Sequence, residues 1–595
     1  MKHSLETCLE RLERTDLVRR LNDPELSYLI RHTLVQETAT ASLLNQERRR
    51  LHRLVGESLE SLYPDQPEEY LARLAQHFVA AGDDTKSYTY CYRAGEAELR
   101  LSALDEALEH FTLALDAAQR AQLPTLDAFL KRGRVLELRG QFDDALKNYR
   151  TMYAYGEQQN DGALQLAALM AQATIQAIPS SVFNIAQSSE ASEKALTLAR
   201  ELDDAAAEAK ILWNLMLVET RVGTNYIGGI AHGEKSLAIA RERNLREQLA
   251  YTLNDLAGMY AFVGEPERGK QYNLEARALW REFGNQPMLG DNLNYAVMMH
   301  LLAGEYSDAI QTMNESLTIT RAIGNAWGEA FAQMWSGTAW LEQGDITKAI
   351  QIMKEGIRLG SQSLKATLIF TRADLARLYG DLGRVLQGIS LAEQALASAD
   401  ELYPNIRGWS LAALSHLYVL KGDLAVARTY LDSQPTRMED LNNPRFGIDL
   451  IVAQAELALA EKDWTRALDI GGALLEYLRK IKIRQYLPMI MIHVSRAWMA
   501  QGQLDQAATV LQEARTLTED MNARWSWWQV LAAQKELEQQ RGNFDAARAL
   551  TPQARACIAY IISRTPKEFR KSFLQTSQVQ NAILPLSYEE RGLGG

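Results

Sequence analysis

The sequence predicts an all-α fold, a solenoid of about eleven to twelve helix pairs with a period near 40 residues, preceded by a small segment of mixed structure. Three observations carry this expectation. A turn of the form glycine, any, apolar, any, any, small recurs at Gly140, Gly223, Gly264, Gly304, Gly344, Gly383, Gly422, Gly502 and Gly542. The segments on either side place apolar residues at i, i+3, i+4 and i+7, as in Leu253, Leu256, Ala257 and Tyr260 or Ala309, Ile310, Met313 and Leu317. Strand signals are nearly absent beyond the first 35 residues.

Residues 5–14 read as a short helix, and 16–21 and 26–31 as two short strands around the turn Asn22-Asp23-Pro24. Residues 31–64 connect them to the array, which occupies residues 65–570. From Gly223 onward the turns are spaced by 41, 40, 40, 39 and 39 residues, then by 80 and 40. Lys462 fills the wide gap, with Trp464 and Ala467 keeping their places. A degenerate unit near Ser181, broken by Pro179, fills the gap between Gly140 and Gly223. Each glycine is expected to take the left-handed conformation that closes the first helix of a pair. The small residue five positions later lets the second helix approach the first. One pair cannot bury its apolar face alone, so stacking the pairs creates a continuous core and a concave inner wall. Residues 571–595 read as a closing segment and a flexible tail.

The stretch Leu253-Asn254-Asp255-Leu256-Ala257-Gly258-Met259-Tyr260, followed by Gly264 and Gly269, resembles a tetratricopeptide repeat in a longer form of about 40 residues. That resemblance covers roughly residues 65–570 and implies a right-handed superhelix. The ends carry a second one. Arg31-His32, Ser42-Leu43-Leu44, Arg48-Arg49-Arg50 and Leu59 through Pro64 resemble the segment that joins a winged helix to a repeat arm in bacterial STAND-type signalling ATPases, many of which carry an adenylate-cyclase-like domain upstream. Pro566 through Leu574 resembles their closing helix. The resemblance implies a C-terminal arm with a partial winged helix over residues 1–64, and a nucleotide-binding subunit as a possible partner.

Composition narrows the function. With 64 Lys and Arg against 75 Asp and Glu, the net charge is −11 and the pI about 5.5, which offers no electrostatic footprint for nucleic acid. No run reaches the roughly 18 apolar residues of a membrane span. No secretion signal is visible, and Cys8, Cys91 and Cys557 lie too far apart for a disulfide framework, so a reducing cytoplasmic location is expected. Gly264 through Gln271 fits GxxxxGK, yet Gln271 stands where a magnesium-binding Ser or Thr is needed, and two acidic residues occupy the phosphate loop. The stretch falls in phase with the other turns and is read as one of them. No recognisable catalytic or metal motif is present, so neither cofactor nor enzymatic activity is expected. The thiols of Cys91 and Cys557 read as structural, and Arg48, Arg49 and Arg50 as a solvated helix face.

Candidate binding residues follow from the repeat phase. Asn214, Asn254 and Asn294 recur every 40 residues, each about 200° around its helix from the packing residue two positions later. Stacked carboxamides both donate and accept, and could pair with an extended peptide on the concave face. Tyr251 and Asp291, one turn earlier, would add a stacking surface and a charge. Duplication plus exposure explains the same pattern. Trp525, Trp527 and Trp528, with Trp498, form an aromatic concentration that suits a second interface or the core and cap of the last repeats; Trp327, Trp335 and Trp340 invite the same two readings. The leading expectation is a non-enzymatic scaffold or sensor arm that binds a protein or peptide. Alternatives are a small-ligand sensor arm, or a separated fragment of a larger ATPase or cyclase.

Overall fold

The computed structural model describes residues 2–15, 17–21, 27–30, 38, 41–63, 67–101, 103–177, 181–222, 226–363, 365–438, 441 and 444–584. The turn at Asn22-Asp23-Pro24, Ile178 through Ser180, the Gly223 turn and the tail from Pro585 lie outside them. The chain divides into two compact units, residues 1–198 and 199–595.

The first unit opens with α1 (Lys2–Arg14) and the antiparallel strands β1 (Val18–Leu21) and β2 (Ser27–Ile30), paired from Val18 with Ile30 to Leu21 with Ser27. It continues through α2 (Asn45–Leu62), α3 (Leu71–Ala81), α4 (Asp84–Arg100), α5 (Leu104–Ala121), α6 (Leu126–Leu138), α7 (Phe142–Gln159) and α8 (Gly162–Gln176) to α9 (Ile185–Glu201). Phe129, Leu136, Tyr149, Met152, Leu164 and Ile175 form its main apolar cluster. In the degenerate unit, Ser188 Oγ donates to the Ala173 carbonyl at 2.7 Å and ties α9 to α8.

The second unit comprises α10 (Ala205–Val222), α11 (Tyr226–Glu242), α12 (Arg246–Tyr260), α13 (Pro266–Glu282), α14 (Gln286–Ala303), α15 (Tyr306–Ala322), α16 (Ala326–Glu342), α17 (Ile346–Gln362), α18 (Lys365–Asp381) and α19 (Val385–Leu402). It goes on with α20 (Arg407–Lys421), α21 (Leu424–Asp432), α22 (Pro444–Ala460), α23 (Trp464–Lys480), α24 (Leu487–Ala500), α25 (Leu504–Asp520), α26 (Arg524–Gln540) and α27 (Phe544–Ser563), and closes with α28 (Lys567–Leu574) and α29 (Ser577–Ile583). From α10 to α27 the helices pair in order, and this unit is a solenoid of tetratricopeptide-like helix pairs.

The described repeat turns of this unit work as the sequence implies. Gly264, Gly304, Gly344, Gly383, Gly422, Gly502 and Gly542 all have φ between +75° and +87°, and Lys462, standing in for glycine, is forced to +63°. Five residues on, a Cβ at Gly269 or Gly388 would lie 2.6 Å from a carbonyl of the preceding helix, and Ala309, Ala349 and Ala507 are fully buried. GxxxxGK is thus a repeat turn; Lys270 pairs with Glu305 at 3.1 Å.

The two helices of a pair have different surroundings. First helices pack against the first helices of neighbouring pairs as well as their own partners. They are therefore buried nearly all round: residues 252–260 of α12 are all buried. Second helices such as α17 bury one face only, through Ile346, Ala349, Ile350, Met353 and Leu359. First helices thus line the inner wall and second helices the outer.

Successive superhelical turns touch within this unit. Thr347 N and Oγ1 both donate to the Arg564 carbonyl, 217 residues away, at 2.8 and 2.7 Å. At the same separation, Gly264 sits against the backbone of Ile481 and Gly304 against the Met521 side chain. Arg484 N donates to the Leu302 carbonyl at 2.8 Å, and Ser526 binds Glu342 through its N–H and hydroxyl. One turn thus takes a little over five pairs of about 40 residues, and its rim seals against the next.

Candidate functional site: a charged stripe on the inner wall

The asparagine ladder is not an open one. Asn254 is 1% exposed and Asn294 is fully buried. Asn254 Nδ2 donates to Asp291 at 2.8 Å while its Oδ1 accepts from Asn292 at 3.0 Å, joining α12 to α14. Asn294 donates to the Gly328 carbonyl at 3.0 Å and accepts from Ser316 Oγ at 2.6 Å, joining α14 to its neighbours. The exposure expected of these two carboxamides is corrected: first helices touch one another, and the position two residues from the packing residue falls inside that seam. Asn214, Tyr251 and Asp291 are half-buried. The Tyr251 ring packs edge-on to Trp280 with centroids 4.9 Å apart.

Among the tryptophans, Trp525 and Trp528 are buried, which corrects the second-interface reading and agrees with the core-and-cap one. Phe573 of the closing α28 stacks on Trp525 at 5.6 Å and meets Trp528 edge-on at 6.1 Å. Trp527 is half-buried against the same cluster. Trp498 and Trp340 are half-buried, Trp335 is buried and Trp327 is 41% exposed. Cys91 and Cys557 are buried, and burial pushes both thiols up to about 12, consistent with structural roles. Arg50 pairs with Glu47 on an exposed helix face.

The charges that sequence reading passed over stand six residues before the turn residue in five consecutive pairs: Arg377, His416, Glu456, Arg496 and Glu536. The repeat sets them side by side on α18, α20, α22, α24 and α26. His416 Nδ1 contacts Glu456 at 2.8 Å and its Nε2 contacts Asp381 at 3.0 Å. Arg496 holds Glu536 with two contacts of 3.1 and 3.2 Å. Arg377 reaches Asp449 at 3.4 Å, and the Tyr486 hydroxyl donates to the other oxygen of that carboxylate at 3.3 Å. Trp409 Nε1 donates to Asp374 at 2.9 Å. An unbroken run of charged residues at one repeat position, two cations followed by Glu456, Arg496 and Glu536, is legible in the sequence at a constant offset from each turn.

These side chains are enclosed yet wet: Arg377, Asp381 and Arg496 keep 19, 30 and 29% of their side-chain surface. Enclosure shifts their protonation. Burial alone would lower His416, but Glu456 and Asp381 overcome it and raise the imidazole to about 10, so it is charged. Burial would raise Glu456, and His416 instead brings it down to about 2. Burial raises Asp374 to about 7 against the Trp409 hydrogen bond, and also raises Asp449 despite Arg377. His493 is pushed down to about 4 by burial and is neutral. The arrangement can hold polar or charged groups in a low-dielectric channel.

For a metal, one group among the described residues brings three ligand atoms within 4.8 Å of one another: His300, Glu305 and Asp308. Lys270 already neutralises Glu305 there, which removes the reason for a cation to bind. No helix among the described residues is long and apolar enough to cross a membrane.

No protein-family model matches the chain, and no curated protein does. The chain is similar to one from the crystal structure of the APC/C hetero-tetramer Cut9–Hcn1, 14% identical, covering 93% of this chain and 99% of that one with a TM-score of 0.46. It is also similar to yeast Tom70, 12% identical, covering 84% and 99%, with a TM-score of 0.33.

Proposed function

We propose that this chain is a non-catalytic interaction scaffold whose second unit holds a segment of a protein partner along its inner wall. The charged stripe on five successive first helices supports this reading, because charges placed on the enclosed face incur a desolvation cost that packing alone does not require. Asn214, Tyr251 and Asp291 lie on first helices of the same unit and would extend the contact toward its N-terminal end.

The finer reading is the sensor arm of a bacterial signalling system, located in the cytoplasm, with a nucleotide-binding subunit of the STAND type as partner. It is supported by the segments at residues 31–64 and 566–574 that resemble such proteins. The seal between superhelical turns favours a second reading, a small-ligand sensor, because a closed wall limits the inner space to slender ligands.

Affinity capture from source-cell lysate tests the scaffold. Arg496→Ala with Glu536→Ala removes an inner ion pair whole, and Arg321→Ala changes the outer surface. The expected result is a partner held by wild type and the outer variant and lost by the inner one. A partner held equally by the inner variant, or nucleotide turnover by the purified chain, overturns the proposal.

A further inference from the structure

The inner cluster formed by α18, α20, α22 and α24 has a charge imbalance that its own residues do not close. Asp374, Asp381, Asp449 and Glu456 face Arg377 and His416, while Arg496 pairs through Nε and Nη2 with Glu536. Four carboxyl groups thus share two cations. Asp374 accepts an indole N–H from Trp409 and has no ion-pair partner among the described residues. Burial keeps it near the point of protonation.

An independent observation points to a ligand. His493 is only 9% exposed, and its Nδ1 meets no hydrogen-bonding partner, although Glu456, Arg496, His416 and Arg377 interact with it electrostatically. A buried polar nitrogen left unpaired is destabilising, and a bound donor would remove that cost.

The spacing of the carboxylates selects among cations. They are strung along the stripe, and no three of them converge as metal ligands do among the described residues. A compact divalent ion does not fit this spacing. An elongated organic cation does, because its several N–H groups can reach successive carboxylates while its carbon skeleton lies on apolar surface. Half-buried Tyr486, which donates to Asp449, and half-buried Met489, whose sulfur lies 4.0 Å from Arg377, offer that surface. Aromatic rings of this kind also attract cations directly.

We propose that this stretch of the inner wall binds a guanidinium or alkylammonium group, held by Asp374 and its neighbouring carboxylates with His493 Nδ1 accepting one of its N–H bonds. The inference rests on the inner wall as the binding surface and adds the charge and chemical class of what it takes. The cation could come from a free polyamine or from an Arg or Lys side chain of a bound segment.

Isothermal titration of the full chain with spermidine, with agmatine and with the peptide acetyl-Gly-Arg-Gly-amide tests it. The citrulline form of the peptide, equal in shape and uncharged, is the control. A cationic probe is expected to bind, with the citrulline peptide and the Asp374→Asn variant each weaker by about tenfold or more. Asparagine still accepts from Trp409, so the fold should survive; Asp381→Asn is the second variant should it not. Near neutral pH, binding should release protons as Asp374 ionises, read as a heat that changes with the buffer's ionisation enthalpy. Preference for spermidine or agmatine assigns a free amine, and preference for the peptide assigns a partner's side chain. Silence of all three cations at millimolar concentration, or equal binding by wild type and both variants, overturns the inference. Capture of a partner through the inner wall with all probes silent would sink it and leave the scaffold standing.

Discussion

At the scale of single residues, Asn254 and Asn294 show how one side-chain type serves opposite ends. A carboxamide suits an exposed groove because it donates and accepts, and suits a helix seam for the same reason. The choice rests on whether neighbouring first helices touch, which one helix's periodicity does not encode. Asn294→Ala is therefore expected to act on the fold. It leaves the Gly328 carbonyl and the Ser316 hydroxyl without these partners in a dry seam, at a cost of roughly 1–3 kcal/mol. Thermal melting should show a clear loss of apparent Tm for Asn294→Ala and a smaller one for Asn214→Ala at a half-buried site. Equal effects would reinstate the two as similar surface positions. The Arg377-to-Glu536 stripe was legible in the same register, since its members stand 39 or 40 residues apart.

At the scale of elements, the left-handed turn residue is a joint with two duties. At Gly502 and Gly542 open space surrounds the position, so glycine there answers to backbone geometry alone. At Gly383, φ is +77° and a Cβ would lie 2.7 Å from the Ser572 carbonyl of the closing α28. Arg384 also donates to the Glu568 carbonyl at 2.8 Å, and Tyr379 stacks on Phe569 at 5.3 Å. Gly383→Val is expected to lift α28 from this seat, whereas Gly502→Val should carry only the strain of the left-handed conformation, about 1–2 kcal/mol. Hydrogen exchange over residues 567–574 distinguishes them: faster exchange in the Gly383 variant alone is the expected result. The sequence marks both glycines alike, and only the neighbour brought by the superhelix separates them.

At the scale of the whole second unit, the seal between turns contains a titratable group with an unusual setting. Glu342 is 8% exposed, pairs with no cation among the described residues, and accepts the Ser526 N–H and hydroxyl from the next turn. Burial raises its carboxyl to about 7, and nearby Tyr306 is kept protonated by burial and by this carboxylate, against the pull of Arg484. An unfolded glutamate loses its proton near 4.5, so between about 4.5 and 7 the folded state binds more protons. Stability from this site therefore falls as pH rises through that window, by roughly 3 kcal/mol once it is crossed. Glu342→Gln should abolish this part of the pH dependence and melt higher than wild type at about pH 8, with little difference at about pH 5. Identical pH profiles for the two proteins would remove Glu342 from the seal.

The sequence by itself determined the helices, their pairing and their phase, because turn glycines, small residues and apolar spacing act within about 40 residues of chain. It also held the charged stripe at a fixed offset from each turn. Only the tertiary structure decided which faces meet. Contact between first helices turned Asn254 and Asn294 inward, the closing helix covered Trp525 and Trp528, and the seal across 217 residues joined one turn of the superhelix to the next. Those outcomes depend on the small rotation from one pair to the next, which accumulates over a full turn and is set by packing between pairs rather than by any one of them.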